Sequence, residues 1–437
     1  MTVHTRTSVF SIVSGAGRAA LLGTVFSAGL IGAASAVDIT VWSGYPEMTP
    51  FYEHVAEGMK AEHPDLKVTV EAIALREHEK RIALGLTSGE AANVIELGYS
   101  TATRYLKNDL FPKAPDDIAA FVSDPANYSE TFKNSASYNG VVHGVPLFRG
   151  QSAIYYNTDM FKAAGLEAPP KDMAEMTAYA EKLTQRDANG NPTVSGWSMR
   201  LSGGGQGIAE KFWINMFQYG GNLVEQKADG KWRSNIANEA GLATLRQYIE
   251  NVHGVKTVTI EMPADAEAFE RGQTAMFIRE SWVIGDIAAK APDLKYATST
   301  LPRGSITAPV SLWITGEGPE AEAAWAFAKA ANSPENLVWL LDNVGWLPNR
   351  SGLDYTAILE KKPALGAFVN YPADYAFFSL PAIGPVEEIL TRTADRLTQA
   401  FANPALLGDD KAIMEVLTAT QDEINALLDR EGLLAAE

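Results

Sequence analysis

Two short stretches of alternating apolar residues each end in a cluster of groups able to grip a small polar molecule. Val37-Asp38-Ile39-Thr40-Val41-Trp42 closes on Trp42, with Tyr45 three residues on. Asn93-Val94-Ile95-Glu96-Leu97 carries Glu96, with Tyr99 and Ser100 just beyond. Indole and phenol rings offer flat faces to C–H groups, while carboxylates, amides and hydroxyls exchange hydrogen bonds with hydroxyls. Such a mixture suits a polyhydroxylated ligand. Each residue also has a plainer reading: Trp42 can simply end a strand in the core, and Glu96 can cap a helix or pair with a base. Arg149 adds a planar fork for a carboxylate, sulfonate or phosphate, or a donor for neutral hydroxyls. Its alternative is a salt bridge, for which Glu96 is an available partner. Gln206 sits in Ser202-Gly203-Gly204-Gly205-Gln206-Gly207, which is glycine-rich without the Gly-Lys-Ser/Thr of a phosphate loop. Those glycines allow close backbone approach to a ligand or a tight turn. Trp213, Trp282, Trp313 and Trp346 are the remaining informative aromatics. Most tryptophans are core, so roughly two of these four are expected at a ligand.

Signals for catalysis or metal binding are missing. Asp187-Ala188-Asn189-Gly190-Asn191 begins like a calcium loop, but Pro192 stands where glycine is needed and the acidic twelfth position is absent, so a hairpin turn is expected. His78-Glu79 has no second histidine at 82. There is no Gly-x-Ser-x-Gly elbow and no cysteine.

The elements around these residues alternate. Strands are expected at 37–42, 67–71 and 93–97, with helices from Thr49-Pro50, where a cap precedes proline at the first helical position, and over 77–86. Strand–helix alternation implies a parallel sheet flanked by helices, whose ligands lie beyond the carboxyl ends of the strands. That rule selects the loops Trp42–Glu47 and Glu96–Thr101. Further on, 145–157 reads as an extended strand running into a helix near Asp159, with Asn157 or Thr158 as cap and Gly165 as terminator. Helices follow at 172–183, 209–219, 240–251, 264–271, 319–331 and 412–428, with strands at 273–278 and, briefly, 310–314.

Residues 1–36 read as a signal peptide: Arg6 and Arg18 are its charges, 19–34 is apolar or small, and Ala34-Ser35-Ala36 is a cleavage site. The run is short for a membrane span, and a signal anchor is the alternative. Setting aside 36 of 437 residues leaves 401, more than one core usually supports, so two domains are expected. With no cysteine, an exported chain relies on core size rather than disulfides, and a lipid anchor on cysteine is excluded. Net charge is −17, or −19 without the leader's two arginines, which opposes binding to nucleic acid or anionic lipid.

Several pieces together resemble the family 1 extracellular solute-binding proteins, the maltose-binding-protein-like receptors of carbohydrate ABC importers. They are Val145 to Leu166, Phe217-Gln218-Tyr219-Gly220-Gly221, Phe269-Glu270-Arg271-Gly272-Gln273-Thr274-Ala275-Met276-Phe277 with Ser281-Trp282, Leu301-Pro302-Arg303-Gly304, Trp325-Ala326-Phe327-Ala328-Lys329 with Ser333-Pro334-Glu335, and Gly345-Trp346-Leu347-Pro348-Asn349-Arg350. Two departures stand out. Pro169 to Glu175 lacks the usual aromatic-rich motif, and Ser305 to Val310 lacks the common Gly-Gly, leaving the second crossing less defined. The resemblance implies an α/β fold of two lobes, each a mainly parallel sheet flanked by helices, joined by a hinge. It implies lobes of residues 37–146 plus 305–350 and of 147–304 plus 351–437. It turns Arg149 and Gln151 toward the cleft, sets Trp282 at a stacking position, and brings Trp346 and Arg350 near the lobe junction.

The implied activity is capture of a sugar by hinge closure in the periplasm and delivery to an inner-membrane permease. No reaction and no cofactor are implied, and a monomer is expected. The alternatives are a receptor for a sugar acid, sulfonate or phosphate ester anchored by Arg149, and a secreted carbohydrate-active enzyme.

Overall fold

The computed structural model describes residues 37–202, 205–262 and 265–436. The expected leader, Gly203, Gly204 and Ala264 lie outside the described residues. The backbone is organised by one sheet. Its first part is β1 (Val37–Ser43), β2 (Leu66–Ala72) and β3 (Val94–Gly98). β1 pairs in parallel with both neighbours, with Thr40 opposite Thr69 and Trp42 opposite Ile95. Helices α1 (Thr49–Met59), α2 (Leu75–Ser88) and α3 (Tyr99–Leu106) follow the three strands in turn. α1 has proline in its first turn and buries Phe51, Tyr52, Val55 and Met59. That face repeats every three to four residues, as an amphipathic helix requires.

Two unusually long strands carry the chain between its halves. β4 (Gly144–Asn157) has 14 residues, and β7 (Gly304–Ile314) has 11, against about five or six in an ordinary strand. β5 (Met276–Glu280) and β6 (Tyr296–Ser299) flank the far end of β4, both antiparallel. β7 lies between β3 and β4, antiparallel to both, and its register with β4 shifts between Val310 and Ser311. β8 (Leu347–Pro348) joins β4 antiparallel, and β9 (Ala376–Phe378) joins β7 in parallel. The path is β2–β1–β3–β7–β4–β5 within a sheet of nine strands. The strand expected briefly over 310–314 therefore begins six residues earlier, at the Gly304 that ends the piece resembling a second crossing. Pro309 suggests a break, but it pairs opposite Arg149 next to the register shift, where a missing donor is tolerated.

Local signals explain the ends. The Asn157 side chain accepts from the Asp159 and Met160 N–H groups at 3.0 Å each, capping Thr158–Ala163. Gly165, at φ +65°, takes the left-handed turn that ends it. Asp187 accepts from the Asn189 and Asn191 N–H groups, making the expected hairpin turn.

Apolar side chains gather in two large clusters. One joins Ile39 to Phe148 with Val310 to Trp346; the other joins Ile154 to Ile306 with Ile383 to Leu428. A smaller cluster brings Ala153, Tyr155 and Phe277 against Leu341, Leu347 and Phe368. In the second half, α4 (Gln206–Gln218) packs on α5 (Val386–Phe401), and the 21-residue α6 (Asp410–Arg430) crosses the helix Glu239–Ile249.

Candidate functional site

Two contiguous cavities open beyond the carboxyl ends of β1 and β3, where the strand–helix rule directs a ligand. The larger is about 890 Å³ and the smaller about 350 Å³. They share Tyr45, Leu75, Arg76, Gln206, Glu210 and Ala308. The walls thus come from the β1 loop, the start of α2, the start of α4 and the middle of β7. Six sequence-selected residues meet here. Tyr45 and Gln206 line both cavities, Trp282 and Trp346 the larger, and Tyr99 and Ser100 the smaller.

The aromatic wall is built on the apolar cluster that joins Ile39 to Phe148 with Val310 to Trp346. Tyr45 meets Phe148 and Trp346 edge-on, with centroids 5.4 and 5.3 Å apart. Trp346 donates its indole N–H to Glu47 Oε1 at 3.2 Å, and Trp282 lies 6.5 Å from Trp346. Two of the four tryptophans singled out from sequence therefore line the cleft.

Charged groups complete it. Lys211 reaches Glu280 Oε1 at 2.6 Å, and Arg279 lies 3.3 Å from the other oxygen. Burial opposes ionisation of Glu280, but Arg279 and Lys211 outweigh it and hold the carboxyl below the usual range. Arg200, in a left-handed conformation at φ +49°, lies 3.8 Å from Asp265, and its buried Nε has no hydrogen-bond partner. Arg76 is paired with Glu79 at 2.7 Å. The larger cavity holds Arg76, Lys80, Arg200, Lys211 and Arg279 against Glu47, Glu210 and Glu280, so its lining is basic in a chain of net charge −17.

The other selected residues lie elsewhere. Trp42 is 6% exposed, packs with Ile82, Leu86 and Trp313, and carries Arg81 at 3.9 Å over its ring. Glu96 is 1% exposed and accepts from Ser43 Oγ at 2.8 Å, from the Gly44 N–H at 3.1 Å and from the Tyr52 hydroxyl. It braces the β1 loop from below and makes no bridge to Arg149. Trp213 donates to Asn222, and Trp313 to the Leu97 carbonyl at 2.9 Å, both deep in the core. Arg350 donates to the Asn332 carbonyl and Asn127.

Arg149 and Gln151 face away from the cleft. Alternate residues of a strand point to opposite faces, and on β4 it is Gly150 that lines the larger cavity. Gln151 is buried and donates to the Phe368 carbonyl at 3.1 Å. Both faces of β4 are covered over nearly its whole length, so alternation gave no clue to which residues point inward.

Sequence reasoning passed over Arg76, Arg200, Glu210, Lys211, Arg279 and Glu280. One signal was available: Arg279-Glu280 directly follow the strand expected over 273–278, beside Trp282. Arg200 and Lys211 lie in a loop and inside a helix, and only the tertiary fold brings them together.

The fold has counterparts among known proteins. A family model described as bacterial extracellular solute-binding protein matches residues 55–367. A binding protein of Brucella abortus (strain 2308) is 23% identical over 406 residues, covering 90% of this chain and 93% of that one. The sn-glycerol-3-phosphate-binding periplasmic protein of Pectobacterium atrosepticum is 25% identical over 351 residues, 72% and 74% of the two chains. Among solved structures, the ABC transporter solute-binding protein of Thermotoga lettingae, bound with α-D-tagatose, superposes with a TM-score of 0.75 at 17% identity, covering 90% of this chain and all of that one. The family model covers most of the chain, and the protein is a two-lobed member of the bacterial extracellular solute-binding protein family.

Proposed function

We propose that this chain is the periplasmic receptor of an ABC importer, taking up a sugar, polyol or glycoside by closure of two lobes and handing it to membrane permease subunits. The observation that carries this reading is one cavity of about 890 Å³ lined both by Tyr45, Trp282 and Trp346 and by the Lys211–Glu280–Arg279 group. Aromatic faces cover C–H surfaces of a sugar ring, and charged donors and acceptors fix its hydroxyls. A family of receptors supports binding without turnover. The two large apolar clusters support lobes of residues 37–146 plus 305–350 and of 147–304 plus 351–437, with Leu147 and Phe148 packing into the first cluster and Ile306 into the second. The cluster uniting Tyr155 with Leu347 then lies where the lobes join. Cleavage after Ala36 and a monomeric state belong to the same reading.

The second reading, an anionic sugar derivative, gains support from the five basic residues of the larger cavity. Its anchor is Arg76 or Arg200 rather than Arg149. The sn-glycerol-3-phosphate specificity named for one relative agrees with it. A thermal-shift screen of neutral and acidic sugars separates the two, because a bound ligand raises the melting temperature. Shifts by neutral sugars support the first reading. Shifts by acidic sugars alone, abolished by Arg200→Gln, replace it with the second. Turnover of a glycan by the purified protein overturns both.

A further inference from the structure

Behind the crossing strand, on the face of β4 opposite the cleft, lies a separate cavity of about 530 Å³. Arg149 projects into it, with Arg350, Ser129, Asn370 and Tyr371 among its lining. The lining contains two arginines and no carboxylate. Arg350 donates to the Asn332 carbonyl and the Asn127 side chain. Arg149 donates through one terminal nitrogen to the Pro348 carbonyl, and its Nε makes only a long contact of 3.5 Å to Gln151 Oε1. A guanidinium has five N–H donors, so both arginines keep donors that these contacts do not use. The Phe132 ring lies beneath Arg149, 5.2 Å from the guanidinium carbon.

No carboxylate among the described residues forms an ion pair with Arg149. Asp354, near the cavity in sequence, accepts instead from Thr356. Glu130, beside Ser129, is paired with Lys133. Burial lowers the Arg149 pKa from its ordinary value, and the phenols of Tyr355 and Tyr371 partly oppose that shift. Arg149 is only partly buried, yet it has no carboxylate partner in a chain that carries 53 acidic residues from which one could have come.

We propose that this cavity is a second binding site, distinct from the ligand cleft, that takes a small oxyanion such as phosphate or sulfate. Arg149 supplies a two-pronged charge-assisted contact on one side, and hydroxyl and amide groups of Ser129, Asn370 and Tyr371 supply neutral donors on the rim.

Calorimetric titration of the full mature chain with inorganic phosphate, at fixed ionic strength in chloride, tests this. Saturable binding is expected, with sulfate competing. Arg149→Gln should weaken it by about tenfold or more, the equivalent of one charge-assisted contact. Arg149→Lys should fall between, since lysine keeps the charge and loses the fork. Sugar affinity should stay unchanged in both variants. No saturable binding, or binding lost in Arg200→Gln and kept in Arg149→Gln, overturns the proposal, the latter because it moves the anion into the cleft. Should Arg149→Gln fail to fold, crystals of the wild-type protein soaked in tungstate decide. A metal peak within contact distance of the Arg149 guanidinium supports the site, and its absence there overturns it.

Discussion

The carboxyl of Glu96 lies beneath the turn Ser43–Tyr45, where burial pushes it up to about 8 although Tyr52, Ser43 and the Gly44 N–H all donate to it. In the unfolded chain the same group titrates near 4.3. The folded state therefore holds a proton that the unfolded state releases. The resulting stability is complete below the unfolded value and is lost as pH rises toward 8. Wild-type stability should thus decline across this window, by up to about 1.4 kcal/mol per pH unit, and Glu96→Gln should flatten the decline in chemical denaturation measured at pH 5, 6.5 and 8. An equal slope in both proteins would remove Glu96 as its source. The two tryptophan environments give a second contrast. Trp313 is fully buried, and replacement by alanine should cost about 3–5 kcal/mol while leaving the cleft residues in place. Trp282 is only half-buried; Trp282→Ala should weaken ligand binding by roughly tenfold with a smaller loss in melting temperature.

Strand ends and caps were readable because their signals are local. β1 ends at Ser43, one residue past Trp42, Asn157 caps its helix, and Pro319–Ala331 begins and ends where its proline and alanines indicate. The facing of β4 was not readable, because Val145, Leu147 and Phe148 are all buried against layers on both sides. The full length of β7 was hidden for a similar reason: its first residues pair with β9, more than 60 positions away, which no local pattern announces. The same distance explains why Arg200, Lys211 and Glu280 went unrecognised as one group. At this scale Asn157→Ala should cost about 1 kcal/mol through two lost cap bonds, read by thermal melting, with ligand affinity unchanged. Gly304 begins β7 in close contact with its partner strand: an added Cβ would stand 2.1 Å from the Ala376 carbonyl oxygen. Gly304→Ala should destabilise by several-fold more than the cap variant, and a melting temperature equal to wild type would contradict the observed pairing of β7 with β9.

Across the whole molecule the charge is distributed unevenly. The chain is acidic, yet the larger cavity gathers five basic residues. Attraction of an anionic ligand into it should weaken as salt rises from 0.05 to 0.5 M, over roughly the range in which the screening length shortens below about 10 Å. Affinity for a neutral sugar should not change. Isothermal titration at the two salt concentrations reads this directly. The strand that separates β3 from β4 in the sheet is β7, contributed by residues 304–314. A growing chain therefore makes β1 to β4 long before the piece that joins them exists, and until residue 314 has emerged, the edges of β3 and β4 have no permanent neighbour. The sheet cannot be finished early and stored while the rest of the chain is made. It waits on residues 304–314, so a chain released before residue 304 should stay unfolded and open to proteases.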